Sequence, residues 1–292
     1  MSVPEVDAHF HVWELERFRY PWPNEDVLPI FKTISFGPLE AALETAKVGN
    51  AVFVQCLNNT PEEALWVLND DHPGAIKLVK GVVAGVNLTN HAETTRQLEE
   101  LCQFEKFVGV RHILDMEEDP AWVMRDDVIA GLKLVAEKGK TFDFLARPHH
   151  LQYVSTLAKA IPELRIVIDH IAKPLLSTSL EVAEDWRRNM AAAAACPNVY
   201  CKISGLVTEV DPVSHALPWT RDTFRDHVDV VLKEFGAERC MVGSDWPVLQ
   251  LTGKRYNDVN LLHKSLVEGL SESEQKAVLG GTATKFYKLN VN

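Results

Sequence analysis

The stretch LRIVIDH, residues 164–170, decides the fold, because three β-branched residues in a row lead directly to Asp169 and His170. A continuous apolar run of roughly four to eight residues predicts a parallel strand that is buried on both faces, whereas a half-exposed strand alternates apolar and polar residues. The stretch therefore predicts a buried strand whose carboxyl end carries polar groups.

Seven further runs of the same kind occur along the chain, so eight strands are predicted. In order, the eight runs are VDAHFHV from Val6, AVFVQC from Ala51, LVKGVVAGV from Leu78, FVGVRHI from Phe107, TFDFLA from Thr141, LRIVIDH from Leu164, VYCKIS from Val199 and RCMVGSD from Arg239. Amphipathic helices are predicted between them, over residues 39–46, 62–70, 128–139, 181–195, 220–235 and 258–270, with one or two short helices in the tail. The segment TPEE at residues 60–63 is a capping box, in which Glu63 is expected to cap the helix that begins there.

This alternation predicts an α/β fold, a single (β/α)8 TIM barrel that forms one domain over residues 1–292. No GxGxxG follows the first strand, which disfavours a dinucleotide-binding sheet. In such a barrel the chemistry lies at the carboxyl ends of the strands. Two connections at that end are long, residues 12–37 with YPWP at 20–23 and residues 206–219 with Pro212 and Pro218. Each is either a lid or a structural cover.

Composition excludes several classes of protein. With 46% hydrophobic and 24% charged residues, the 292-residue chain is an ordinary globular sequence with enough apolar content for a large core. Its net charge of −11 disfavours nucleic acid and anionic membranes as partners. The opening MSVPEVD has no basic or apolar leader, and the five cysteines form no CxxC pair, so we expect a cytoplasmic protein with reduced thiols.

Two histidines end the first predicted strand. His9 and His11 are two residues apart, so the alternation of a strand turns both imidazoles to the same face. If that face is the barrel interior, burying both rings is costly unless a divalent metal or a substrate oxygen binds them. The pair is therefore a candidate for metal binding or catalysis.

Titratable groups at two other strand ends are predicted to join them. His170 ends the sixth strand, and Asp245 ends the eighth within GSDWP. Asp245 can serve as a metal ligand or as a general base that accepts a proton from water. It can also simply cap the following helix, and Asp169, beside His170, is expected to be structural.

Cations and one aromatic residue are candidates for binding substrate. Arg111 ends the fourth strand, Arg147 follows the fifth and Lys202 lies in the seventh. An Arg or Lys at a barrel mouth can hold a carboxylate or hydroxyls and can stabilise an oxyanion. Trp246 can offer a ring face to a sugar. Each of these residues can equally be structural.

Several segments together carry a family resemblance. The segments DAHFHVW, GVRH, FDFLARPHHL, IVIDHIAKP, VYCKISGL, MVGSDWPV and TATKFYKL occur in this order from Asp7 to Leu289. On these segments the chain resembles the amidohydrolase superfamily, and within it the branch that contains sugar-acid lactonases, such as L-fuconolactonase and L-rhamnono-lactonase, and 2-pyrone-4,6-dicarboxylate lactonase. The opening HxH together with GSDWP is specific for the branch but not for a substrate.

The resemblance implies a metal site. It places His9 and His11 at the first-strand metal pair, His170 at the sixth-strand histidine and Asp245 at the eighth-strand aspartate, which would hold one divalent ion, zinc or manganese. One departure matters: many members carry a further ligand, His or a carboxylated Lys, after strand four or five, where this chain has Arg111-His112 and Ala146-Arg147. A metal-free site therefore remains open.

The expected reaction is the opening of a sugar-acid lactone of the L-fucono- or L-rhamnono-lactone kind. Asp245 would take a proton from the attacking water, and His9, His11 and His170 would polarise the carbonyl directly or through an ion. The alternatives are a metal-dependent decarboxylase, a pyrone-dicarboxylate lactonase and a barrel that only binds a sugar acid. The expected partner is a small molecule, and association of the chain with copies of itself is left open.

Overall fold

The fold is described by a computed structural model that covers residues 4–69, 75–177, 181–210 and 219–291. Both prolines of the second long connection, Pro212 and Pro218, lie outside the described residues. No helix in the described ranges is both long and apolar enough to cross a membrane. All five cysteines are free, as expected.

Eight parallel strands form the sheet, each paired with the next in chain order. Their bounds are β1 Val6–Phe10, β2 Asn50–Val54, β3 Val79–Ala84, β4 Phe107–Ile113, β5 Thr141–Leu145, β6 Arg165–Ile168, β7 Val199–Ile203 and β8 Cys240–Val242. Beyond β8, the Asp245 amide donates to the His9 carbonyl at 2.8 Å, and the His11 amide donates to the Trp246 carbonyl at 2.7 Å. These bonds bring the last strand end to the first, so the predicted (β/α)8 barrel is confirmed.

Helices follow the strands around the outside. Their bounds are α1 Phe36–Ala46, α2 Glu62–Leu68, α3 Ala75–Leu78, α4 His91–Leu101, α5 Asp126–Glu137, α6 Leu151–Ala160, α7 Glu184–Ala194, α8 Asp222–Phe235, α9 Tyr256–Val267, α10 Glu272–Lys276 and α11 Thr282–Tyr287. The predicted segments are confirmed, with ends that differ by a few residues. The helices α4 and α6 were not predicted individually.

The capping box predicted at the start of α2 is wrong in one respect. Glu63 is fully buried and does not cap its own helix. Its carboxylate instead accepts hydrogen bonds from the backbone amides of Cys56, at 2.5 Å, and Leu57, at 3.3 Å. Buried backbone amides need an acceptor, and in the loop after β2 the Glu63 side chain supplies one for both of these amides. Glu63 therefore braces the carboxyl end of β2.

Two apolar clusters hold the barrel together. The larger fills the space between the sheet and the surrounding helices. The smaller joins the strand interior, at residues such as Val52 and Val167, to Phe286 and Tyr287 of α11. The C-terminal helix thus packs against the barrel core, and this position allows Tyr287 to reach the polar layer described below.

Candidate active site

Three imidazoles and one carboxylate converge at the carboxyl ends of β1, β6 and β8. Nε2 of His9 lies 3.1 Å from Nε2 of His11. Oδ1 of Asp245 lies 3.4 Å from His11 Nε2, 3.8 Å from His9 Nε2 and 3.8 Å from His170 Nε2. All four predicted residues are buried and lie together.

The local backbone explains why these side chains can meet. His170 has φ 54° and Asp245 has φ 57°, so both lie in the left-handed region and turn sharply out of their strands. Gly205 is needed beside them, because a Cβ there would approach His170 Nδ1 to 2.6 Å. Gly243 is needed for the same reason, because a Cβ there would approach the His9 Cβ to 2.7 Å. Close packing around the rings therefore depends on two glycines.

Burial and mutual contact set the charge state of the site. Burial lowers the pKa of His9 well below its ordinary value, lowers that of His11, and lowers that of His170 to about 4. For Asp245, burial alone would raise the pKa, but the interactions with His170 and His11 outweigh it and leave the pKa below its ordinary range. The site thus combines neutral imidazoles with an ionised carboxylate.

Three of these side chains form a candidate metal site, because ligand atoms of His9, His170 and Asp245 all lie within 4.8 Å of one another. His11 Nε2 lies beside them, 3.1 Å from His9 Nε2. A tetrahedral ion with bonds of about 2.0–2.1 Å would separate its ligands by about 3.3 Å, close to the 3.1–3.8 Å between these atoms. The far nitrogen of His11 lies 2.6 Å from the Val54 carbonyl oxygen, which fixes the ring with Nε2 toward the centre. The donor spacing therefore fits one divalent ion.

Arg111 places a positive charge beside the same centre. Its side chain is only 3% exposed, and its Nη1 lies 3.4 Å from His9 Nε2 and 3.6 Å from Asp169 Oδ2. Its Nη2 also donates to the carbonyl oxygen of Gln55. Held in this way from β4, Arg111 contributes to the wall of a cavity next to Asp245.

This cavity opens above the site. It has a volume of about 490 Å³, and His11, His170, Asp245 and Arg111 contribute to its lining. Pro21 and Trp22 of the YPWP segment also line it, so the first long connection borders the site. The cavity is large enough for a small molecule and brings it into contact with the ionised carboxylate.

Arg147 lies at the mouth of the cavity. Its side chain is 46% exposed, and its guanidinium lies 3.0 Å from Asp115 Oδ2 and 3.7 Å from Glu209 Oε2. Asp115 and Glu209 line the cavity together with Arg147 and a further cation, Lys173, so Arg147 lies between two acids and is not the only positive charge beside them. The sequence pattern did not single out either acid, because both lie on connections rather than at strand ends.

Lys202 and Trp246 lie elsewhere. Neither contributes to the lining of the cavity. Lys202 is fully buried beneath His9, where its Nζ lies 2.6 Å from Asp143 Oδ2 and 3.0 Å from Asp169 Oδ1. Trp246 is 7% exposed. In this arrangement the Lys202 ammonium is held by two carboxylates, and a contact between Lys202 and substrate stays a prediction.

Three residues of this buried layer were not identified as site residues from the sequence. Asp169 was expected to be only structural, Asp143 interrupts the apolar run TFDFLA, and Tyr287 belongs to the tail segment TATKFYKL. The Tyr287 hydroxyl donates to Asp143 Oδ2 at 2.7 Å. An acid inside a buried strand is a usable signal, since burying a charge is costly unless a partner is present. The sequence did not reveal the partner.

Comparison with known proteins agrees with the fold and identifies the family. The chain is 32% identical over 291 residues to L-fucono-1,5-lactonase from Burkholderia ambifaria, with 98% of this chain and 96% of the relative covered. It is 25% identical over 233 residues to L-rhamnono-gamma-lactonase from Scheffersomyces stipitis, with 70% and 65% covered. A solved amidohydrolase structure from Burkholderia multivorans with bound zinc matches with a TM-score of 0.83 and 28% identity, covering 98% of this chain and 99% of the other. The sequence profile of the amidohydrolase family matches residues 6–289, and this chain therefore belongs to that family.

Proposed function

We propose that this protein hydrolyses the ester bond of a sugar-acid lactone. The observation that carries the proposal is the cavity in which an ionised carboxylate, Asp245, lies beside neutral imidazoles and the buried cation of Arg111. Ester hydrolysis requires a proton acceptor for water and positive or hydrogen-bonding groups for the developing oxyanion. The lactonase names of two relatives support the same reaction.

The charges around the cavity favour a neutral, polyhydroxylated ring. Asp115 and Glu209 partner Arg147 at the mouth, so this cation is not available alone to an anion. A dicarboxylated pyrone would place at least one carboxylate near these acids, which is unfavourable. Sugar hydroxyls can donate to the acids and accept from the guanidinium at the same time. We therefore favour a sugar-acid lactone over a pyrone dicarboxylate.

The positions of the side chains support the following reaction, which we propose. Asp245 accepts a proton from a water molecule, whose oxygen attacks the lactone carbonyl carbon. Arg111 and an imidazole N–H stabilise the resulting oxyanion by hydrogen bonds. When the tetrahedral intermediate collapses, the bond from the carbonyl carbon to the ring oxygen breaks. The protonated Asp245 returns its proton to the leaving alkoxide, which leaves a hydroxy acid.

We propose that one divalent ion, zinc or manganese, is held by His9, His11, His170 and Asp245. The donor spacing supports this, and a related structure contains zinc. When bound, the ion supplies Lewis-acid polarisation of the carbonyl and makes bound water more acidic. The proton transfers above need only the chain's own residues. We place the reaction in the cytoplasm, where five free thiols stay reduced.

A panel of substrates tests the proposal. In a weakly buffered indicator assay, the purified protein is expected to release protons from L-fucono-1,5-lactone and other five- or six-membered aldonolactones above the spontaneous rate. Turnover should be weaker on dicarboxylated rings and absent on peptides and phosphoesters. Loss of carbon dioxide from an aromatic carboxylate, without turnover of any lactone, would assign the site to decarboxylation. Binding of an aldonic acid without any turnover would make it a binding site only.

A further inference from the structure

A buried ammonium meets three acceptors beneath the candidate metal site. Lys202 Nζ lies 2.6 Å from Asp143 Oδ2, 3.0 Å from Asp169 Oδ1 and 3.1 Å from His9 Nδ1. A lysine ammonium has three N–H donors and no lone pair. Two of these contacts, to Asp143 and His9, have hydrogen-bond geometry and the one to Asp169 is an ion pair, so the Nδ1 of His9 must offer its lone pair to Lys202. A neutral imidazole then carries its hydrogen on Nε2.

The closest group on the other side of His9 agrees with this hydrogen position, because His11 Nε2, at 3.1 Å, is nearer to His9 Nε2 than the Arg111 Nη1 donor at 3.4 Å. His11 Nδ1 lies 2.6 Å from the Val54 carbonyl oxygen, which can only accept, so the hydrogen of His11 lies on Nδ1. His11 Nε2 therefore has a free lone pair, 3.1 Å from His9 Nε2. The hydrogen on His9 Nε2 can be donated to it. Lys202 then donates to His9, His9 donates to His11, and His11 donates to the Val54 carbonyl oxygen.

We propose that Lys202 is a positioning residue that keeps the hydrogen of His9 on Nε2 and thereby weakens His9 as a ligand of the candidate ion site. This inference depends on the metal part of the proposed function, because it concerns the same ion site. To bind an ion through Nε2, His9 must move its hydrogen to Nδ1, which would then face the N–H groups of Lys202. Asp169 Oδ1, 3.5 Å from Nδ1, is the acceptor that this form would require.

The C-terminal helix helps to hold Lys202 in place. The Tyr287 hydroxyl donates to Asp143 Oδ2, the same oxygen that accepts from Lys202. The Lys202 Nζ also lies 5.6 Å from the centre of the Tyr287 ring. Both contacts resist any movement of the ammonium away from His9. Tyr287 of the tail segment TATKFYKL, which takes no part in the proposed reaction, thus helps to fix the position of Lys202.

The hydrogen position can be measured on the unaltered protein. Nitrogen-15 spectra of the metal-free protein, with the His9 signals assigned by their loss in His9→Gln, are expected to show a proton bound to Nε2 and none on Nδ1. A proton on Nδ1 would overturn the proposal. This measurement involves no lactone, so its failure is distinct from a failure of the proposed function.

The effect on metal binding is tested with one variant and one control. Lys202→Met keeps the length of the side chain and removes the donors, so zinc affinity, measured by competition with a coloured chelator, is expected to rise roughly tenfold or more. Lys173→Met removes another cation that lines the cavity but makes no hydrogen bond or ion pair with His9 within the described residues, and the zinc affinity of this variant should change far less. Equal changes in both variants, or no rise in Lys202→Met, would overturn the proposal. If Lys202→Met does not fold, the nitrogen-15 result on the unaltered protein decides.

Discussion

Oδ1 of Asp245 lies 3.4 Å from Nε2 of His11, although the two residues come from opposite ends of the chain. The contact exists because the Asp245 amide donates to the His9 carbonyl and the His11 amide donates to the Trp246 carbonyl. The backbone bonds that bring β8 to β1 are therefore also the bonds that assemble the site. The site can form only in the closed barrel.

Replacement of the carboxylate tests its role as proton acceptor. Asp245→Asn keeps the shape of the side chain, and Asn tolerates the left-handed backbone at this position, so the fold should be retained. We expect kcat for a sugar lactone to fall roughly a hundredfold or more. Asp222→Asn, which alters an exposed acid, is the control and should change neither kcat nor the thermal midpoint. A folded Asp245→Asn protein with normal kcat would remove Asp245 from the mechanism.

The two arginines of the cavity are expected to differ in their effects. Arg111 is buried beside His9, so Arg111→Met should lower kcat roughly a hundredfold, because it removes a charge aimed at the oxyanion. Arg147 is half exposed and already paired with Asp115, so Arg147→Met should raise KM a few fold with little change in kcat. Steady-state kinetics on one lactone separates the two effects. Equal effects of both variants on KM alone would contradict the assignment of Arg111 to the oxyanion.

Metal content tests the ion site. The double variant His9→Ala/His11→Ala removes two of the four candidate ligands and should abolish stoichiometric zinc or manganese, as measured by elemental analysis after equilibration with the ion. The matched control is His91→Ala/His149→Ala, which alters two exposed histidines outside the site. It should bind as much metal as the unaltered protein. Retention of one ion per chain by the first variant would place the ion elsewhere.

Glu63 gives the stability a predictable pH dependence. Burial raises the pKa of Glu63 from an ordinary value of 4.5 to about 7. As pH rises from about 4.5 to about 7, the unfolded chain loses this proton while the folded protein keeps it, so Glu63 lowers the free energy of unfolding over this window and not above it, while the buried histidines with lowered pKa values raise it. Urea unfolding at several pH values measures the slope.

The variant Glu63→Gln cannot ionise at this position, so the contribution of Glu63 is absent and its free energy of unfolding should rise more, or fall less, with pH over this window than that of the unaltered protein. Glu62→Gln, at the exposed neighbouring position, should keep the original slope. If Glu63→Gln shows the same slope as the unaltered protein, the buried carboxyl does not retain its proton near neutral pH.

The fold and the four residues at the centre could be predicted because both depend on short-range patterns. A strand buried on both faces must be a continuous apolar run, so LRIVIDH and its seven counterparts stand out in the sequence. The period of a strand placed His9 and His11 on one face, and the barrel rule placed His170 and Asp245 at the same end. Each of these inferences needs only neighbouring residues.

The buried layer beneath the site could not be predicted, because it depends on contacts between distant elements. Lys202 lies near the end of its strand, and the sequence alone does not say whether its ammonium reaches the cavity or points beneath it. Its partners Asp143 and Asp169 come from two other strands. Tyr287 joins them only because α11 packs against the barrel core. The packing of a terminal helix has no signal within the strand sequences.

A single-turnover reaction in ¹⁸O-labelled water tests the central claim most directly. Excess enzyme is mixed with L-fucono-1,5-lactone, and the masses of the product and of the intact protein are measured by mass spectrometry. If Asp245 activates water to attack the carbonyl, the ring opens faster than in buffer, the acid carries one ¹⁸O in its carboxylate, and the protein gains none. Ring opening at only the spontaneous rate, or an unlabelled acid together with ¹⁸O in Asp245, would contradict this account.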